Sequence, residues 1–184
     1  MRAYRVFPYL SAARRGDPGH AEYVGQQGSG RLDNPDHYEV RYLAEAPVTA
    51  VAERFGELVR WTPAMFRHVR GASLALATFE VPDSLRRVDL DDARALADRR
   101  LRPTQVVRRH LPTTQAWALD IFREKVSARG GPRWDGVRWW SWYRPEWPVL
   151  GLWRGEPELL SVEPLGLDHP AVREAALALG RPLR

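Results

Sequence analysis

The sequence predicts a single α+β domain, and three observations carry that prediction. Its 184 residues are 44% hydrophobic, which suits one compact domain spanning residues 1–184 with a core of its own. Helix-period and strand-period stretches follow one another in mixed order, not as a regular βαβ series. No internal repeat or low-complexity tract interrupts them.

Tyr4 to Phe7 reads as a short strand, and Ser11 to Asp36, rich in Gly, Ser, Asp and Pro, as an irregular loop of a length that is often functional. Val40, Tyr42 and Ala44 alternate with charged or larger residues, a strand that delivers the chain into a helix at Pro47. Along that helix Val48, Val51, Ala52, Phe55 and Val59 form an apolar stripe. Thr49, Ala50, Glu53 and Gly56 fall on a neighbouring face of mostly small residues, where another group can approach Glu53 closely.

Leu74 to Val81 reads as a buried strand, and Leu90 to Arg99 as a short helix with acids first and arginines last, matching the helix dipole. Thr113 or Thr114 caps a helix running to about Val126, before the turn Gly130-Gly131-Pro132. Gly136 to Trp142 is a strand with Val137, Trp139 and Ser141 on one face and Arg138, Trp140 and Trp142 on the other. Val149 to Trp153 and Glu158 to Val162 are expected beside it. Pro170 opens the last helix, Val172, Ala175, Ala176 and Leu179 form its stripe, and Gly180 ends it.

The chain has no cysteine, which excludes a disulfide framework and a cysteine zinc site and makes a reducing cytoplasm the expected location. The opening residues lack the pattern of a secretory signal, and no apolar stretch approaches spanning length, so no membrane partner is expected. A net charge of +5 and a pI near 10.1 favour an anionic partner: nucleic acid, an acidic protein or a phosphorylated small molecule. Lys125 is the only lysine. The arginine bias suits bidentate phosphate binding, and a GC-rich genome produces the same bias.

Several segments hold candidate chemistry, each with an ordinary alternative. Gly28-Ser29-Gly30-Arg31 can turn successive backbone amides and a guanidinium toward a phosphate, or be a surface turn; its spacing fits neither a Walker loop nor a dinucleotide fingerprint. Glu53 is either a catalytic carboxylate or a solvated helix residue. Ser141, among Trp139, Trp140 and Trp142, marks a pocket floor or tight packing. Trp134, Trp139 and Trp140 beside Arg138 either stack nucleic-acid bases or pack one aromatic strand. The histidines at 20, 37, 68, 110 and 169 lack metal-ligand spacing, so no metal is expected, and no Gly-x-Ser-x-Gly elbow supports a hydrolase of that kind.

Tyr4-Arg5-Val6-Phe7, Gly30-Arg31-Leu32-Asp33, Arg41-Tyr42-Leu43-Ala44, Ala50-Val51-Ala52-Glu53 and Asp135-Gly136-Val137-Arg138-Trp139-Trp140-Ser141, in this order and spacing, resemble the RES-domain family nearly end to end. The family takes its name from an arginine, a glutamate and a serine. The resemblance implies an ADP-ribosyltransferase-like fold of mixed and antiparallel sheets with flanking helices. It implies a toxin of a toxin–antitoxin pair that consumes NAD by phosphorolysis or hydrolysis, opposed by an Xre-type antitoxin. NAD would be the substrate, not a resident cofactor, with inorganic phosphate a possible second substrate and nucleic acid not expected as a partner.

Carried over, the resemblance makes Arg31 the pyrophosphate ligand, Tyr42 a wall or hydrogen-bonding partner at the nicotinamide end, Glu53 the catalytic carboxylate and Ser141 a polar contact in the same pocket. This chain has Trp140 where many family toxins place a tyrosine or a small apolar residue. Two other readings stay open: an ADP-ribosyltransferase acting on a protein or nucleic acid, and a non-catalytic nucleotide or nucleic-acid binding module.

Overall fold

The computed structural model describes residues 1–68 and 71–184. It is an α+β structure, in which the chain divides into two compact units, each gathered from non-contiguous segments: residues 1–25, 43–81 and 157–184 in the first, 26–42 and 82–156 in the second.

The first unit is built on β1 (Arg2–Tyr9), β3 (Ser73–Glu80) and β7 (Glu158–Pro164), with β1 also pairing with β2 (Arg41–Ala44) at Tyr4↔Ala44. β1 and β3 run antiparallel over their full lengths, from Arg2↔Glu80 to Tyr9↔Ser73. Six consecutive residues of β3, Leu74 to Phe79, are buried. A strand apolar on both faces belongs in a sheet interior and needs a neighbour on each edge. This explains why Glu158–Pro164 pairs antiparallel with β3, and not beside the Gly136 strand as its position in the sequence suggests.

Helix α1 (Pro47–Phe55) packs on β1 and on α5 (Pro170–Ala178). The α1 stripe of Val48, Val51, Ala52 and Phe55 is buried as its period requires. Val59 does not extend it: the helix ends at Phe55, and Val59 is 71% exposed. The Gly56 N–H closes the last turn on the Ala52 carbonyl, while the Gly56 carbonyl accepts from the Arg181 guanidinium at 2.8 Å. The helix end is thus satisfied without a further turn. Phe55 then meets Trp61 and Phe66 edge to face.

In the second unit β4 (Arg87–Asp89) runs parallel to β5 (Gly136–Trp140), which pairs antiparallel with β6 (Pro148–Leu152). Around these strands lie α2 (Ala93–Asp98), α3 (Pro103–Val106) and α4 (Leu111–Arg123). β4 and α3 are too short to show a period in the sequence. α2 is shorter than the charge pattern suggests because the Asp92 carboxylate caps it at the Arg94 N–H.

α4 starts upstream of both threonines, with Pro112 in its first turn where no N–H is needed. It stops before Val126 because Glu124 turns extended and gives its carboxylate to Arg99, at 2.7 Å, and to the Trp134 indole N–H, at 2.7 Å. Trp153 is buried against Tyr38 and Phe122.

Candidate functional site

The glycine-rich segment before Arg31 is folded around one carboxylate. Asp33 is buried, and its Oδ2 accepts from the backbone N–H groups of Gly28 and Gly30, both at 2.7 Å. Its Oδ1 accepts from the Tyr42 hydroxyl at 2.6 Å, and the same hydroxyl accepts from the Leu32 N–H at 2.8 Å. The two glycine amides that sequence reading offered to a phosphate are therefore turned on the protein's own carboxylate. A Cβ added at Gly30 would run into the Tyr42 hydroxyl and the Asp33 carboxylate, which is why only glycine fits there.

The outer side of the loop is tied to α4. Gln115 Nε2 donates to the carbonyls of Gly30 and Gly28, at 3.1 and 3.3 Å, and Asn34 Nδ2 reaches the Gln115 carbonyl at 3.0 Å. The Tyr38 hydroxyl donates to the Leu32 carbonyl at 2.6 Å. Burial pushes the Tyr38 phenol up to about 12, the Asn34 hydrogen bond partly opposing it. Burial, then the hydrogen bond to Asp33, raises the Tyr42 phenol still further above its ordinary range. Tyr42 is thus a neutral phenol with its hydroxyl engaged on both sides.

This scaffold sets Arg31. Its Nη1 donates to the Val106 carbonyl at the end of α3, at 3.1 Å, so one of the five guanidinium donors orients the group. Val106 is itself fully buried, and the neighbouring Gln105 carbonyl accepts from the Trp117 indole at 3.3 Å. On the other side, Tyr42 meets the Trp139 ring edge-on, with centroids 6.5 Å apart. Trp139 lies on β5, two residues before Ser141.

Ser141 is 2% exposed and lies one residue past β5, which stops at Trp140 and does not run on to Trp142 as the alternation suggests. Its N–H donates to the Trp147 carbonyl at 2.7 Å, and its Oγ accepts from the Tyr143 N–H at 3.1 Å. Such a side-chain turn stops the ladder and reverses the chain. The second unit therefore holds three of the four sequence-predicted residues, Arg31, Tyr42 and Ser141, on one connected framework.

Glu53 stands in the first unit, exposed on α1. Thr49, one turn earlier on the same face, is fully buried, and its hydroxyl has no hydrogen-bond partner among the described residues. Among those residues no cluster of three His, Cys, Asp or Glu can hold a metal ion, and no helix is long and apolar enough to cross a membrane.

Asp33 is the residue that sequence reading left without a role. The signal was present as Gly28-x-Gly30-x-x-Asp33, a short acidic side chain following two glycines whose amides it can collect.

A family model described as RES domain matches residues 2–174. The chain belongs to the RES-domain family. The match spans all five segments from Tyr4 to Ser141 and extends into α5. RES domains are NAD-related enzymatic modules associated with toxin–antitoxin systems. No curated protein matches the chain.

Proposed function

We propose that this RES domain is an NAD-consuming enzyme that breaks the bond between nicotinamide and ribose, with inorganic phosphate or water as nucleophile. The observation that carries the reading is the family match over residues 2–174; the common framework under Arg31, Tyr42 and Ser141 supports it.

Nicotinamide leaves from a cationic pyridinium as a neutral molecule, so its departure needs no general acid. The ribose left behind acquires oxocarbenium character and is stabilised by nearby negative charge. A single carboxylate, Glu53, meets that need. As the bond to nicotinamide breaks with its electron pair on the nitrogen, a phosphate oxygen or a water oxygen forms the new bond at C1′, and water surrenders a proton to solvent or to Glu53.

Arg31 binds the pyrophosphate with its guanidinium and not with the loop amides, which Asp33 already occupies. Binding energy made at that distance from the reacting carbon fixes the ribose for reaction. Tyr42 serves as a wall at the nicotinamide end, since its hydroxyl is taken by Asp33 and Leu32. Ser141 floors the same pocket. A dedicated antitoxin of the Xre type is the partner that such a toxin requires.

The test is nicotinamide release from NAD by the purified chain, with and without inorganic phosphate, beside Glu53→Gln. We expect NAD binding to stay within a few fold in the variant and turnover to fall by about a hundredfold or more. Phosphate dependence names the nucleophile. Normal turnover in Glu53→Gln removes Glu53 from the mechanism, and transfer of ADP-ribose onto a macromolecule without free product replaces the reading with a transferase.

A further inference from the structure

Cations from three separate stretches of the second unit meet at one cavity of about 630 Å³. Arg87 comes from β4 and Arg94 from α2. Lys125 and Arg133 come from the two arms of a turn after α4, closed by the Val126 N–H on the Gly131 carbonyl and the Arg133 N–H on the Glu124 carbonyl. Lys125, the one lysine of the chain, pairs with Pro132 across that turn.

Most acids of the cavity are already engaged. Glu124 is held by Arg99 at 2.7 Å, by the Trp134 indole N–H at 2.7 Å and by Arg133 at 4.0 Å. Asp89 takes Arg138 at 2.8 Å, and Asp92 caps α2 at the Arg94 N–H. Asp98, exposed at the end of α2, is the carboxylate left over. Against it stand three cations with no ion pair among the described residues: Arg87, Arg94 and Lys125. Arg87 is the sharpest case, because its Nη1 is closed off from water and has no hydrogen-bond partner among the described residues. A charged donor in that state is costly unless an acceptor is supplied from elsewhere.

We propose that this cavity is a binding site for a compact, multiply charged phosphoryl anion, with Arg87 as its central donor and Arg94 and Lys125 on its flanks. A guanidinium gives a phosphoryl group paired, charge-assisted hydrogen bonds, and an ammonium adds a point charge on a flexible stem. The volume lies within the range of small-ligand sites. The acids set the size of the ligand. Asp89, Asp92 and Asp98 line the same cavity and repel a polyanion that runs on past it, as a nucleic-acid backbone must, whereas an anion that ends inside it is met by the unpaired cations. None of Arg31, Tyr42, Glu53 and Ser141 lines this cavity, so the site does not rest on the NAD reading.

The test is calorimetric titration of the intact chain with inorganic triphosphate at fixed ionic strength, beside Arg87→Met, Lys125→Met and two controls that remove one charge elsewhere, Arg14→Gln and Arg31→Gln. We expect the natural chain to bind, Arg87→Met to bind about tenfold or more weakly, Lys125→Met about threefold more weakly, and both controls to stay within about twofold. No binding at millimolar concentration overturns the site. Equal loss in Arg14→Gln overturns it too, because the attraction would then be that of net charge alone. Loss in Arg31→Gln with none in Arg87→Met puts the anion at Arg31, which overturns this site and leaves the NAD reading standing. Binding of a single-stranded oligonucleotide that is far tighter than triphosphate, steeply salt-dependent and lost in Arg87→Met overturns it in favour of a nucleic-acid surface.

Folding is read on the same variants. Replacing an unmatched, closed-off charge by an apolar side chain of similar length should keep or raise the unfolding midpoint of the ligand-free chain, and triphosphate should raise the midpoint of the natural chain but not that of Arg87→Met. A lowered ligand-free midpoint in Arg87→Met would show that the guanidinium is satisfied within the chain, and overturns its role. Lys125 can be read without any substitution. Because it is the one lysine, its acylation, followed by peptide mass apart from that of the amino terminus, reports the cavity directly. Triphosphate should slow it several fold, and an unchanged rate removes the anion from the cavity.

Discussion

The segment 28–34 and helix α1 each carry a residue that the proposed reaction needs, and they are held by opposite means. α1 owes its place to an apolar stripe, Val48, Val51, Ala52 and Phe55, buried against strand and helix neighbours, and Glu53 rides on its exposed side. The loop has little apolar surface of its own. It is ordered by polar groups: the Asp33 carboxylate inside, the Gln115 and Asn34 amides outside. Packing tolerates an exposed substitution, whereas a buried polar hub fails when its centre is removed, because several partners lose their bonds together.

The sharpest way to break that contrast is Asp33→Ala set beside Glu53→Gln. Asp33→Ala leaves two backbone N–H groups and a phenol without their acceptor, and should destabilise the fold by about 3–5 kcal/mol in denaturant unfolding. Glu53→Gln, on an exposed helix position, should stay within about 0.5 kcal/mol. A small loss for Asp33→Ala would mean that water takes over the hub readily, and the loop would then owe its shape to something else.

A smaller effect is expected from Gly30→Ala, about 2 kcal/mol, since the new methyl group meets the Tyr42 hydroxyl and Asp33. Combining it with Tyr42→Phe, which removes one of the two colliding groups, should cost less than the sum of the single changes. Strict additivity in that cycle would remove the collision as the cause.

The smallest effect is one of pH. The Tyr42 phenol holds its proton more tightly in the folded chain than in the unfolded one, where it titrates near its ordinary value of 10.0. A raised folded pKa contributes stability that is fully present below that value and is lost as pH rises above it. Unfolding midpoints should therefore fall on the alkaline side of pH 10, and less steeply in Tyr42→Phe. An identical alkaline slope in the two chains would show that the phenol is not under strain from Asp33 and burial.

Much of the scaffold was legible in the sequence because it depends on periods. The α1 stripe and the alternation of β5 repeat at the spacing their geometry demands, β3 shows as an unbroken apolar run, and Pro47, Pro170 and Gly180 punctuate the helices. Where one local rule competes with another the period misleads: Val59 continues the helical period, but Gly56 and Arg181 close the helix before it. The candidate site residues come from the RES resemblance and not from any local pattern. Arg31, Glu53 and Ser141 are separated by long stretches of chain, and no local spacing links them. Asp33 lay in plain view, but which amides its carboxylate collects is decided by the loop's path, not by its composition.

By itself, then, the sequence determined the α+β class, the core faces of the main helices and strands, and the family. These follow from short-range periodicity and from residue types in a fixed order. Only the tertiary structure decided that the glycine amides serve Asp33, that the Tyr42 hydroxyl is spent, that Glu158–Pro164 completes the sheet beside β3, and that Arg109 lies over Trp142. Those outcomes rest on hydrogen bonds and ring contacts between residues up to 89 positions apart in register, and contacts of that range are set by how the chain closes on itself, which no local pattern records.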